Sequence, residues 1–134
     1  MEYDFSYQNP TRIHFGKDAL NKLPKELSQF GEQVLLVYGT GSIKSTGLYD
    51  TMMGILSRAG KEVCELSGVT SNPTADKVYE GIALARRQKP DLILAAGGGS
   101  VLDCAKVIAA GALYDGDFYE QFFVKRAEAE TAIP

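Results

Sequence analysis

The chain has 134 residues, 45% of them hydrophobic and 23% charged, with a net charge of −3. This is the composition of one globular domain large enough to bury a core without disulfides or metal, and its mildly acidic balance excludes the basic footprint of a nucleic-acid-binding surface. The start Met1-Glu-Tyr-Asp-Phe5 lacks the basic and apolar regions of a signal peptide, and no apolar run approaches the length of a membrane span, so a cytoplasmic protein is expected.

In chain order, Phe5 and Tyr7 alternate with polar residues, Asn9-Pro10 supplies a turn, and Arg12 to Phe15 alternates again, which predicts a β-hairpin closed by Gly16. His14, the single histidine, falls within that alternation and reads as a strand residue; alone it cannot assemble a His-rich metal site. Leu20, Leu23, Leu27 and Phe30 keep helical spacing from Lys17 to Phe30, with Pro24 as a kink or division. Gln33 to Tyr38 is the short, nearly all-apolar run of a parallel strand covered on both faces, and it exits through Gly39-Thr-Gly-Ser42. Ser45 or Thr46 is placed to cap a helix whose apolar stripe is Leu48, Met52, Ile55, Leu56 and Ala59.

Lys61 to Leu66 resumes as a strand. Ser67 to Thr74 is a loop containing Asn72-Pro73 and ending on Thr74, the N-cap of a helix marked by Val78, Ile82 and Ala85 and stopped by Pro90. The apolar strand Asp91 to Ala96 then stops at three glycines, and a helix starts at once, with Leu102, Ala105, Ile108, Ala109 and Ala112 on one face. Cys64 and Cys104 belong to no CxxC or CxxxH spacing and read as buried free thiols in a reducing compartment. Leu113 to Asp117 reads as a loop, Phe118 to Phe123 as a short aromatic helix and Lys125 to Glu130 as a charged stretch. Thr131-Ala-Ile-Pro134 looks like the approach to a further strand, so the polypeptide is expected to be part of something longer.

Strand and helix alternate, which predicts an α/β fold: a Rossmann-like parallel sheet with helices on both faces, entered through the N-terminal hairpin. Ligands of such sheets bind beyond the carboxyl ends of the strands, where both glycine-rich loops and the Asn72-Pro73 loop would converge on one cleft. Gly97-Gly-Gly-Ser100-Val-Leu-Asp103 has the make-up of a phosphate cradle, because glycines let backbone approach an anion and the first turn of the next helix offers N–H groups and a favourable dipole. Ser100-x-x-Asp103 also spells a variant capping box, which accounts for those two residues but not for three consecutive glycines. Gly39-x-Gly41 lacks a third glycine, since position 44 is Lys, and is no Rossmann fingerprint by itself. Gly-x-Ser-x-Gly is absent, so the hydrolase with a nucleophile elbow is not indicated.

Taken in order, Tyr38-Gly-Thr-Gly-Ser42-Ile-Lys44, Asn72-Pro73 and Gly97-Gly-Gly-Ser100-Val-Leu-Asp103-Cys-Ala-Lys106 resemble the iron-dependent (group III) alcohol dehydrogenases, in their butanol dehydrogenase-like branch. The resemblance implies a dehydroquinate synthase-like nucleotide-binding domain. Residues 1–134 would be the N-terminal NAD(P)-binding domain, incomplete and without the C-terminal helical domain that binds metal. It further implies a catalytic Fe2+ or Zn2+ held by an aspartate and three histidines beyond residue 134, so that this chain alone is inactive and holds no catalytic residue. Gly97, Gly98, Gly99 and Ser100 would bind the cofactor pyrophosphate, Asp103 would lie near the nicotinamide, and Asn72 and Pro73 would line the adenosine side. Gly39, Thr40, Gly41, Ser42 and Lys44 form a loop with no carboxylate to repel a ribose 2′-phosphate, which favours NADP(H) over NAD, as does the family pattern at Gly39. The substrate would be a small primary alcohol or aldehyde, and the partner a second copy paired through Tyr3 to Phe15. A polyol or lactaldehyde dehydrogenase of the same superfamily, and a non-catalytic nucleotide-binding module, are the alternatives.

Overall fold

A computed structural model describes residues 4–134. A 3-10 turn at Ala19–Lys22 leads into α1 (Leu23–Leu27), then β1 (Gln33–Tyr38), α2 (Ser42–Ser45), α3 (Leu48–Arg58), β2 (Glu62–Leu66), α4 (Ala75–Gln88), β3 (Leu92–Ala96) and α5 (Gly99–Leu113), with a π-helical turn at Tyr119–Val124. The three strands are parallel in the order β2-β1-β3, with Leu35 level with both Cys64 and Ile93.

β1 is central because its sequence can be buried on both sides. Leu35 and Val37 point into one apolar layer with Val78, Ile82, Cys104 and Ile108 of α4 and α5. Leu36 and Tyr38 point the other way, onto Met52 of α3, and Val34 joins Leu27, Ile55 and Leu56. Leu35, Leu36 and Val37 are wholly buried, each contributing about 1.5–3 kcal/mol through lost apolar surface. The α/β fold with helices on both faces is therefore as the alternation implied.

α4 and α5 meet at two reciprocal contacts. A Cβ on Gly81 would stand 2.3 Å from Ile108 Cδ1, and one on Gly111 would stand 2.6 Å from Ile82 Cδ1, so each helix accepts the other's isoleucine where it has no side chain. The far end of α5 is closed by Arg86, whose guanidinium donates to the carbonyls of Gly111 (3.1 Å), Ala112 (3.4 Å), Tyr114 (2.6 Å) and Gly116 (3.4 Å). Those are the last carbonyls of the helix and of the turn after it, which the helix itself leaves without donors.

Two expectations need correction. Residues 4–15 form no hairpin: they carry no strand pairing, and Phe5, Tyr7, Ile13 and Phe15 stand exposed, because alternation alone does not hold two strands together without a surface to cover. The segment is instead tied down by Arg12 (2.8 Å) and His14 (3.1 Å), both on Glu26 of α1, and those two neighbours lower the Glu26 carboxyl to about 2. Tyr3 lies outside the described residues. Neither Ser45 nor Thr46 caps α3; both hydroxyls donate back to Ser42 O at 3.0 Å, and Gly47, in the left-handed region, begins the helix. Pro24 does divide the 17–30 segment, sitting in the first turn of α1, where its missing N–H costs nothing. At the other end, Pro134 O accepts from Ile93 N (2.8 Å) on the edge of β3 away from β1, as a further strand would.

Candidate functional site

The loops leaving β1, β2 and β3 close around a cleft of about 250 Å³ at the carboxyl edge of the sheet. Its lining comprises Gly39, Thr40 and Ser42 from the first loop, Val69, Thr70 and Ser71 from the second, and Gly97, Gly98, Gly99, Ser100 and Val101 from the third. The loops are laced together by backbone. Gly68 N donates to Gly39 O (2.9 Å) and Val69 N to Tyr38 O (3.2 Å), so the exit of β2 is fastened onto the exit of β1.

The three consecutive glycines do different work. Gly97 has φ 155°, and a Cβ there would stand 2.7 Å from Val101 Cγ2, so the chain itself requires glycine at that turn. Gly98 and Gly99 have no such internal reason, since a Cβ on either would meet nothing within 4 Å. The space kept open there faces the cleft, directly before the first turn of α5. Gly98 is the N-cap of α5, Val101 N bonds back to Gly98 O (3.1 Å), and no acidic residue occupies the first turn. Helix geometry leaves the N–H groups ahead of Val101 without intrahelical acceptors, and the dipole adds partial positive charge at the same place. The arrangement suits an anion with a bulky, polyoxygenated surface.

Ser100 does not cap α5. The helix starts at Gly99, so Ser100 lies inside the first turn, and its hydroxyl donates to Ser71 O at 2.6 Å rather than to a backbone N–H of its own helix. The capping-box reading is thereby corrected: a carbonyl 29 residues away competes for the hydroxyl and wins. Asp103 is exposed on the second turn and does not line the cleft.

The remaining candidates are near the cleft rather than in it. Gly41, with φ 141°, turns the chain into α2, its carbonyl accepting from Lys44 N (3.0 Å) and Ser45 N (3.1 Å). Lys44 extends over the rings of Tyr49 (4.8 Å) and Tyr38 (5.5 Å). Asn72 is exposed and Pro73 half-buried behind the lining segment, where Asn72 O accepts from Thr70 Oγ1 (3.2 Å). Val69, Thr70, Ser71 and Val101 were not singled out in the sequence. For the first three, their position just after a parallel strand was the available signal.

A larger hollow of about 310 Å³ opens at the opposite end of α5, but Asp115, Glu128 and Glu130 line it, which disfavours an anion. Among the described residues no three His, Cys, Asp or Glu side chains converge to hold a metal ion, so this part of the chain does not fit a metal centre. Cys64 and Cys104 are free; Cys104 is buried as expected, whereas Cys64 is only half-buried, and desolvation pushes both thiols up, away from the reactive thiolate. No helix among the described residues is long and apolar enough to cross a membrane.

Comparison with known proteins agrees with this geometry. Over 131 residues the chain is 53% identical to the probable NADH-dependent butanol dehydrogenase 2 of Bacillus subtilis, covering 98% of this chain and 33% of that protein. It is 41% identical over 133 residues to the NADPH-dependent aldehyde reductase YqhD of Escherichia coli, covering 98% and 34% respectively. Among solved structures, NADH-dependent butanol dehydrogenase A from Thermotoga maritima superposes with a TM-score of 0.90 at 41% identity, again over 98% of this chain and 33% of the other. The chain thus spans about a third of the length of these relatives. Residues 10–134 match the family model for iron-containing alcohol dehydrogenase, and the chain belongs to that family.

Proposed function

We propose that these residues are the dinucleotide-binding part of a metal-dependent oxidoreductase that interconverts primary alcohols and aldehydes, butanol-like in size, using NADP(H). The observation that carries the reading is the open space over Gly98 and Gly99 in front of the α5 N-terminus, which no contact within the chain explains. The cofactor pyrophosphate would rest there, against Gly97, Gly98, Gly99 and Ser100, with Ser71 holding Ser100 in place. The dinucleotide, when bound, would supply hydride-transfer chemistry. The residues described here do the earlier work: they bind the dinucleotide, fix its register and leave its reactive end to the rest of the polypeptide, where any metal would be held.

The choice of dinucleotide has arguments on both sides. Thr40 and Ser42 line the cleft and the Gly39–Lys44 loop has no carboxylate, which supports NADP(H), because a carboxylate is what normally repels the 2′-phosphate. NADH is the second reading, favoured by the 53% identity to a relative named for NADH against 41% to one named for NADPH. Titration of the full-length protein with NADPH and NADH, followed by fluorescence of the reduced nicotinamide, separates them. Binding of one or both supports a dinucleotide domain, the ratio of the two dissociation constants decides the preference, and binding of neither overturns the reading.

The exposed Phe5, Tyr7, Ile13 and Phe15 support association of two copies through the N-terminal segment, and sedimentation analysis of the protein with and without residues 1–15 tests it. The free, unreactive thiols support a reducing, cytoplasmic setting. Alone, residues 1–134 are expected to bind without turnover.

A further inference from the structure

Lys44 is the single charged residue of the Gly39–Lys44 loop and follows Ser42, which lines the cleft, by two positions. Its ammonium is nevertheless engaged elsewhere. Nζ stands 4.8 Å from the ring centroid of Tyr49 and 5.5 Å from that of Tyr38, and the two rings meet at 59° with centroids 5.7 Å apart, forming an open wedge around one cation. Both walls of the wedge are fixed. Tyr38 ends β1 and is 4% exposed, and Tyr49, in the first turn of α3, packs against the same apolar cluster that holds Tyr38. Ring faces attract an ammonium, and two converging faces hold it more firmly than one.

We propose that the Tyr38–Tyr49 wedge is a specificity device, which holds the Lys44 ammonium away from the cleft and so sets the ratio of NADPH to NADH binding. The proposal rests on the dinucleotide reading above. With the cation on the rings and no carboxylate in the loop, the 2′ corner of the ribose meets neither attraction nor repulsion from a full charge. Lys44 thus becomes a phosphate ligand only when its seat is removed, and Tyr49 acts as a positioning residue at a distance from the cofactor.

The test is the ratio of NADPH to NADH dissociation constants in the full-length protein and three variants. Tyr49→Leu removes one wall, and NADPH binding is expected to tighten relative to NADH by about fivefold, the scale of one cation–π contact. Tyr49→Phe keeps the ring and is expected to keep the original ratio. Lys44→Gln added to Tyr49→Leu is expected to cancel the gain. A Tyr49→Leu protein whose ratio is unmoved while both dinucleotides still bind overturns the proposal alone, whereas failure of the unaltered protein to bind either overturns the dinucleotide reading and the proposal with it. Should Tyr49→Leu not fold, the Lys44 ε-methylene protons in the unaltered protein provide a second measurement. Ring currents are expected to shift them upfield, and their ordinary position would overturn the wedge.

Discussion

Two pairs of glycines, chemically identical, are present for opposite reasons. Gly81 and Gly111 sit where α4 and α5 cross, and the space a side chain would need is already filled by Ile108, Leu66 and Ile82. Gly98 and Gly99 sit where the sheet meets the cleft, and the space is empty. Glycine between filled neighbours is a packing device. Glycine beside unclaimed space, before a helix N-terminus with no acidic residue in its first turn, has no explanation inside the chain, and in the proposed function it makes room for the cofactor pyrophosphate.

The same methyl group added to each pair should have opposite effects. Gly81→Ala forces a Cβ against two buried side chains, and overpacking of this kind costs about 1–3 kcal/mol, offset in part by about 1 kcal/mol of improved helix propensity. The melting temperature should fall, and a protein that melts as before would show that the crossing is looser than its distances. Gly98→Ala and Gly99→Ala should leave the melting curve in place yet weaken dinucleotide binding by about tenfold or more. Loss of stability without loss of binding at Gly98 would reverse the assignment.

A smaller effect is expected where the cleft loops are tied together. Ser100→Ala removes the 2.6 Å bond to Ser71 O, at a cost of about 1 kcal/mol, and should speed amide exchange in residues 67–74 while leaving α4 and α5 protected. Uniform acceleration across the domain would mean that the bond holds up the core rather than the loop.

The smallest effect lies outside both pairs. Glu26 is depressed to about 2 by Arg12 and His14, so its contribution is complete above the ordinary carboxylate range and is lost as pH falls from about 4.5 towards about 2. Limited proteolysis at residues 4–15 should therefore quicken in that window, and Glu26→Gln should reproduce the faster cleavage at neutral pH. Equal cleavage rates at pH 7 and pH 3 would discount the tether.

How much of this was legible in the sequence depended on how local the cause was. β1 announces itself because burial on both faces demands an unbroken apolar run, and Gly97 to Gly99 stand out because three glycines in succession are conformationally costly. The start of α5 is legible for the same reason, but the partner of Ser100 is not, because Ser71, 29 residues away, takes its hydroxyl. Asn72-Pro73 drew the eye as a turn, yet Val69 to Ser71 line the cleft, since the chain reaches it directly on leaving β2. The seat of Lys44 is not legible in the loop, because the rings that hold it, above all Tyr49 on the next helix, are not implied by it. The N-terminal alternation was real, but a strand needs a neighbour, and among the described residues it has none.

Arg86 gives α5 two unlike ends. One end of this rod, about 22 Å long, is clamped by a guanidinium on four carbonyls, while the other ends in the glycines of the cleft. An anion arriving at the free end would meet a helix already anchored at the other, so the loss of motion on binding would fall on the glycine loop and on Ser71 behind it. Occupancy would be felt as local stiffening of one corner of the molecule, with the Tyr114–Gly116 turn at the clamped end left as it was.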